Sequence, residues 1–139
     1  MTRKKPKATL DYPFPEPPLP GKALEIAPGV LWIRMPLPFD LDHINLWLLR
    51  DGDGWTVVDT GLKTEETAAH WRALLDGVLA PGKVKRIIAT HMHPDHVGMA
   101  GWLARTHGAD FAMSREEYLM CRVLTADTGR EPPQAAVDF

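Results

Sequence analysis

The chain has 139 residues, 45% of them hydrophobic and 24% charged, so it can bury the core of one domain and is not compositionally disordered. Sixteen Lys and Arg residues against 18 Asp and Glu residues give a net charge of −2, which excludes a generally basic nucleic-acid-binding protein. The sequence contains no apolar run of the about 18 residues that a membrane-spanning helix needs.

A single cysteine, Cys121, rules out an internal disulfide framework and favours a reducing compartment. The basic start, from Met1 to Lys7, is not followed by the apolar stretch of a secretory signal peptide. We therefore expect a cytoplasmic protein that contacts neither nucleic acid nor membrane.

Proline dominates the start of the chain, where six of the 13 prolines lie within the first 20 residues. Proline fixes φ and lacks a backbone donor, so this stretch is a poor helix and a poor central strand. We predict that residues 1–21 form an extended arm, either laid over the domain or free, and that residues 22–139 form the domain. A proline-rich ligand for another domain is the alternative.

Short β-type runs follow the arm. Strands are predicted from Ala23 to Ala27, from Val30 to Met35, from Ile44 to Arg50 and from Trp55 to Asp59. The glycines of Asp51-Gly52-Asp53-Gly54 indicate a hairpin turn between the last two. Four successive strands with short connections predict an antiparallel meander.

The apolar period then becomes that of a helix, with Thr64 as N-cap and Pro81-Gly82 as the stop. Further elements are predicted in this order: a strand over 84–90, a helix over 97–105, a short strand over 110–113, and a helix opened by the capping box Ser114-Arg115-Glu116-Glu117. Hairpin strands followed by strand–helix alternation predict a mixed α/β layered fold.

The strongest chemical signal is the motif Thr90-His91-Met92-His93-Pro94-Asp95-His96, which holds three of the six histidines. It lies between a predicted strand and a predicted helix, where α/β sheets place their sites. Imidazole and carboxylate groups are suitable ligands for Zn²⁺, Fe or Mn. Side chains at i and i+2 of an extended segment face the same way, so His91 and His93 can bind one ion together.

Asp95 and His96 lie where the chain turns into the helix, so they can hold a second ion. Two metal ions about 3.5–4 Å apart can share a bridging water and lower its pKa. In a site with one metal ion, Asp95 is instead a candidate catalytic general base. A loop cluster without metal, or histidines that cap the following helix, is the alternative interpretation.

Residues Thr90 to Gly98 resemble the signature of the metallo-β-lactamase-fold hydrolases. Val57-Val58-Asp59-Thr60-Gly61 resembles the acidic turn that precedes this signature in that family. The resemblance covers about residues 22–139 and implies the amino-terminal half of a four-layer αββα sandwich.

The same resemblance implies that His91 and His93 bind the first metal ion and that Asp95 and His96 bind the second. It also implies that Asp59 supports the site through a hydrogen bond, since carboxylates outside the ligand set orient metal-bound imidazoles. An ordinary turn at the end of a strand is the alternative for Asp59.

The sequence departs from the family after His96. Family members have a second, similar half that supplies the remaining ligands, whereas only His107 follows His96 among the histidines here. Catalytic zinc normally keeps three protein ligands, so two ligands per ion are too few. We expect a truncated gene model, an expressed fragment or one chain of a split enzyme, inactive until a second chain or the missing half completes the site.

The aspartate in the His-x-His-x-Asp-His motif indicates a resemblance to the glyoxalase II-like branch. The predicted function is metal-dependent hydrolysis of an ester, thioester or amide through metal-activated water. One alternative is a di-iron redox protein of the same fold, similar to the flavodiiron proteins. The other is a fragment that is inactive without its partner.

Overall fold

The structure of the chain is a computed structural model that describes residues 10–126. Its elements are β1 (Ala23–Ala27), β2 (Val30–Pro36), β3 (His43–Asp51), β4 (Gly54–Val58), α1 (Glu65–Asp76), β5 (Val84–Ile88), α2 (Pro94–Val97), α3 (Ala100–His107), β6 (Asp110–Ala112) and α4 (Arg115–Ala126). The first nine residues of the predicted arm and the last 13 of the predicted domain lie outside the described residues.

The six strands form one sheet in sequence order, from β1 to β6. Strands β1 to β4 pair antiparallel, as the meander predicts, whereas β5 pairs parallel to both β4 and β6. Helix α1 connects the first parallel pair, and α2 with α3 connects the second. The predicted mixed α/β fold is confirmed.

One face of the sheet forms the core together with α1 and α3. Alternate side chains of β2 and β3 are buried, as the two-residue period of a strand requires. The largest fully buried side chains are Ile33, Met35, Leu46, Leu48, Trp55, Val57, Trp71, Leu74, Leu79, Val84, Ile87 and Leu103. Because burial of each large apolar side chain contributes about 1.5–3 kcal/mol, this face is the main source of stability.

Helix α1 begins as predicted, with the Thr64 side chain accepting from the Thr67 backbone N–H. The predicted stop at Pro81-Gly82 is wrong, because the helix ends at Asp76 with Gly77 as its C-cap. The backbone N–H of Gly77 donates to the Leu74 carbonyl and tightens the last turn. Leu79 lies in the loop after the helix and is fully buried there. Its apolar side chain therefore indicates a core position and not a continuation of the helix.

The helix predicted over 97–105 is divided into α2 and α3. The break follows from the backbone N–H of Met99, which donates to the carbonyl of Gly61 at 3.2 Å and to Thr60 Oγ1 at 3.1 Å. Gly98 lies so close to the same loop that an added Cβ would be 2.7 Å from the Gly61 oxygen. The loop after β4 therefore interrupts the helix at Gly98 and Met99.

Residues 10–20 contain neither helix nor strand, in keeping with their proline content. Tyr12 and Phe14 lie beside Trp32 and Trp47, on the sheet face opposite the core. This part of the arm thus lies over the sheet. None of the helices within residues 10–126 has the length and apolarity needed to cross a membrane.

Replacing Leu74 with alanine should lower the free energy of unfolding by about 2–5 kcal/mol, because Leu74 is 1% exposed and truncation leaves a cavity in the core. The control is Leu119→Ala in α4, where the side chain is 55% exposed and the change should stay within about 0.5 kcal/mol. Urea denaturation measures both values. Equal losses for the two variants would contradict the assignment of the core to this face.

Candidate metal centre

The candidate site lies at the edge of the sheet where the parallel strands β4 and β5 end. Their pairing sets Val58 beside Ile88, so the residues that follow each strand are brought together. Asp59 follows β4 directly, and the motif that begins at Thr90 follows β5. This juxtaposition is the usual position of a site in an α/β sheet.

Asp59 is 5% exposed and has a φ of 61°, in the left-handed region. Such a conformation in a residue other than glycine costs about 1–3 kcal/mol, and aspartate tolerates it better than most residues. The Asp59 backbone N–H donates to the Ile88 carbonyl at 2.8 Å, which fixes the turn against β5. The turn aims the Asp59 carboxylate at the motif.

The Asp59 carboxylate accepts hydrogen bonds from two residues of the motif. Its Oδ1 accepts from the Thr90 backbone N–H at 2.7 Å, and its Oδ2 accepts from Thr90 Oγ1 at 2.8 Å and from His96 Nδ1 at 2.8 Å. An ionised carboxylate only accepts, so the hydrogen-bond network assigns the His96 proton to Nδ1. His96 Nε2 is left with a free lone pair, the state in which an imidazole binds metal.

The same reasoning assigns the proton of His91. The hydroxyl proton of Thr90 is directed to Asp59, so Thr90 Oγ1 accepts from His91 Nδ1 at 3.0 Å. His91 Nε2 is then the acceptor nitrogen, and it accepts from His93 Nδ1 at 3.0 Å. The structure therefore brings His91 and His93 together through two ring nitrogens that face each other.

His93 is held in extended backbone, with φ −60° and ψ 143°, because the following Pro94 disfavours helical conformation. It occupies the N-cap position of α2, but its side chain makes no capping hydrogen bond there. The alternative that this histidine caps the helix is thus wrong. The His91 ring lies 4.6 Å from the His93 ring and 3.9 Å from the His96 ring, between centroids.

Two donor pairs fit the ligand spacing of a metal ion. Zinc–nitrogen distances of about 2.0–2.1 Å in a tetrahedron place neighbouring ligand atoms about 3.3 Å apart. His91 Nε2 and His93 Nδ1 are separated by 3.0 Å, and Asp95 Oδ2 and His96 Nε2 by 3.5 Å. Within residues 10–126, no three His, Cys, Asp or Glu side chains converge in a larger ligand set.

Two residues that the sequence analysis did not assign to the site support the loop from the core side. The hydroxyl and the backbone N–H of Thr60 both donate to the His96 carbonyl, at 2.8 Å and 2.7 Å. The buried Trp71 of α1 donates its indole N–H to the Thr60 carbonyl at 2.8 Å. Trp71, which is fully buried in the core, therefore also connects α1 to the motif.

Glu117 of α4 also supports the motif, through the backbone of Met92. Its carboxylate accepts from the Met92 backbone N–H at 2.8 Å, whereas its own N–H bonds to Ser114 Oγ at 3.2 Å. The predicted capping box is thus formed through its serine, while the glutamate side chain reaches across to the motif. The local sequence signal predicted only the helix start.

Residues 39–139 match the family model described as the metallo-beta-lactamase superfamily. The chain belongs to this superfamily. The predicted resemblance and the predicted fold are both confirmed. The superfamily commonly binds zinc, and the names of the relatives given below support a hydrolase-like enzyme at the level of the family.

The named relatives are longer than this chain. "Probable metallo-hydrolase YybB" of Bacillus subtilis is 36% identical over 84 residues, which cover 56% of this chain and 36% of that protein. A beta-lactamase domain protein from Burkholderia ambifaria is 45% identical with a TM-score of 0.77, over 84% of this chain and 37% of that one. The chain spans little more than a third of either relative.

A more distant structure shows the fold alone. FIM-1 from Pseudomonas aeruginosa, solved in a mono-zinc form, is 20% identical with a TM-score of 0.59, over 78% of this chain and 48% of that one.

Asp59→Asn should release His96 from its fixed tautomer. Asparagine tolerates the left-handed backbone, but its amide has one acceptor oxygen and one donor group, so it cannot accept the three hydrogen bonds from the Thr90 N–H, Thr90 Oγ1 and His96 Nδ1. We expect nitrogen NMR to show His96 protonated at Nδ1 in the wild type and a mixture of tautomers in the variant, with about 1–3 kcal/mol of stability lost. The control, Asp40→Asn at an exposed loop position, should change neither. The same tautomer in both proteins would contradict this role of Asp59.

Proposed function

We propose that this chain carries the metal-binding loop of a metal-dependent hydrolase that acts on an ester, thioester or amide of a small molecule. In this proposal His91 and His93 hold one Zn²⁺, and Asp95 and His96 hold a second, with Fe or Mn as alternative metals. The observation that supports it is the spacing of the two donor pairs, 3.0 Å and 3.5 Å, beside each other on one loop. The metallo-hydrolase names of the relatives favour hydrolysis over redox chemistry.

A divalent metal ion at these pairs would lower the pKa of water and polarise a substrate carbonyl. The residues of the chain contribute by preparing the donor atoms. Thr90 and Asp59 hold the protons of His91 and His96 on Nδ1, so that both Nε2 atoms keep the lone pair with which an imidazole binds metal. In a site with one ion at His91 and His93, Asp95 would be available as the catalytic general base.

The proposal also requires ligands from elsewhere. Each donor pair supplies two ligands, and catalytic zinc normally has three from protein. Since residues 10–126 hold no larger ligand set, we infer that residues outside this range or a second polypeptide complete the site. A fragment of a longer protein and one chain of a split enzyme both meet this requirement, and either would be inactive alone.

Removal of one donor should weaken metal binding. We expect the wild-type chain to bind Zn²⁺ in competition with a chromophoric chelator, and His93→Ala to lower the affinity by more than about tenfold. His107→Ala is the matched control, because His107 ends α3 away from the motif and should leave the affinity unchanged. A wild-type chain that binds Zn²⁺ no better than His93→Ala would contradict the proposed metal site.

Activity should depend on complementation. We expect no turnover by the chain alone, and zinc-dependent turnover when it is co-expressed with the part of the Burkholderia ambifaria protein that it does not cover. Native mass spectrometry first establishes that the complex forms, and an ester, a thioester and an anilide are then assayed. His91→Ala should lower the rate of turnover by at least about 100-fold, because loss of a ligand should cost no less than loss of a residue that only supports a ligand.

Two results would count against the proposal. Zinc-dependent turnover by the chain alone would contradict the need for further ligands. A complex that forms, binds zinc and hydrolyses none of the three substrates would contradict the assigned reaction.

A further inference from the structure

We propose that Glu117 is a positioning residue for the metal-binding loop and acts through the backbone of Met92. The inference rests on the proposed function, because it concerns the geometry of the same ligands. Glu117 lies in the first turn of α4 and is half-buried. Its Oε2 accepts from the Met92 backbone N–H at 2.8 Å.

Met92 is the residue between the two histidines of the first donor pair. A rotation of the backbone at Met92 would move His91 and His93 relative to each other, and their facing nitrogens are only 3.0 Å apart. The hydrogen bond from Glu117 opposes that rotation.

The loop is thus held at two backbone donors by two carboxylates from different elements. Asp59, at the end of β4, accepts from the Thr90 N–H, and Glu117, on α4, accepts from the Met92 N–H. His91 lies between these two anchors. Glu117 therefore holds the backbone after His91, as Asp59 holds the backbone before it.

The role of Glu117 in its own helix is separable from this one. Helix α4 is capped through the Glu117 backbone N–H, which bonds to Ser114 Oγ, whereas the loop is held through the Glu117 side chain. Side-chain variants therefore remove the second contact and leave the first. Glu116 offers a matched control, since it is an exposed glutamate in the same turn.

The test uses the 139-residue chain with Glu117→Ala, Glu117→Gln and Glu116→Ala, and two measurements. Without metal, hydrogen exchange of the Met92 amide is followed by NMR; with metal, Zn²⁺ affinity is measured by chelator competition. For Glu117→Ala we expect faster exchange and an affinity about tenfold lower. Glu117→Gln keeps an acceptor oxygen, so its Zn²⁺ affinity should stay within about threefold of the wild-type value. Glu116→Ala should match the wild type in both measurements.

Each contrary result has a distinct meaning. A Met92 amide that exchanges as fast in the wild type as in Glu117→Ala overturns the inference without reference to metal. Wild type and Glu117→Ala with equal Zn²⁺ affinity overturn the inference and leave the proposed function intact. A wild type that binds no Zn²⁺ overturns both.

One further result is decisive. Equal loss in Glu117→Gln and Glu117→Ala overturns the inference, because charge and not the acceptor would then carry the effect. If Glu117→Ala fails to fold, Glu117→Met, which keeps the length of the side chain without the acceptor, takes its place with the same expected values.

Discussion

The buried carboxylate of Asp59 is the constraint on which the arrangement of the site depends. A buried carboxylate must be matched by donors, and here the donors are the backbone and hydroxyl of Thr90 and the ring of His96. Parallel pairing of β4 with β5 brings these groups within reach, and the left-handed turn at Asp59 aims the carboxylate at them. The tautomers of His91 and His96 follow from these hydrogen bonds, that of His91 through Thr90.

The supporting contacts come from three separate elements of a rigid scaffold. The turn after β4 supplies Asp59 and Thr60, α1 supplies Trp71, and α4 supplies Glu117. Asp59, Thr60 and Glu117 hold different points of the loop, and Trp71 holds Thr60 in turn. Preorganisation of this kind is what a metal site needs, because misplacement by a fraction of an ångström weakens binding and chemistry.

Local signals in the sequence predicted most elements, since strand period, turn glycines and the Thr64 cap act over a few residues. The break between α2 and α3 was not predicted, because it depends on contacts distant in sequence, from the Met99 backbone N–H to Thr60 and Gly61. The histidine motif was visible because it is concentrated in seven residues. The roles of Thr60 and Glu117 could not be predicted from the sequence, because their hydrogen-bond partners lie 36 and 25 residues away along the chain.

X-ray absorption spectroscopy of the zinc-loaded chain tests the central claim most directly, because it reports the atoms bound to the metal. We expect imidazole nitrogens at about 2.0–2.1 Å from the zinc ion, and fewer of them in a variant that lacks His91 and His93. A first shell of oxygen alone, or one that contains sulfur from Cys121 at about 2.3 Å, would contradict it.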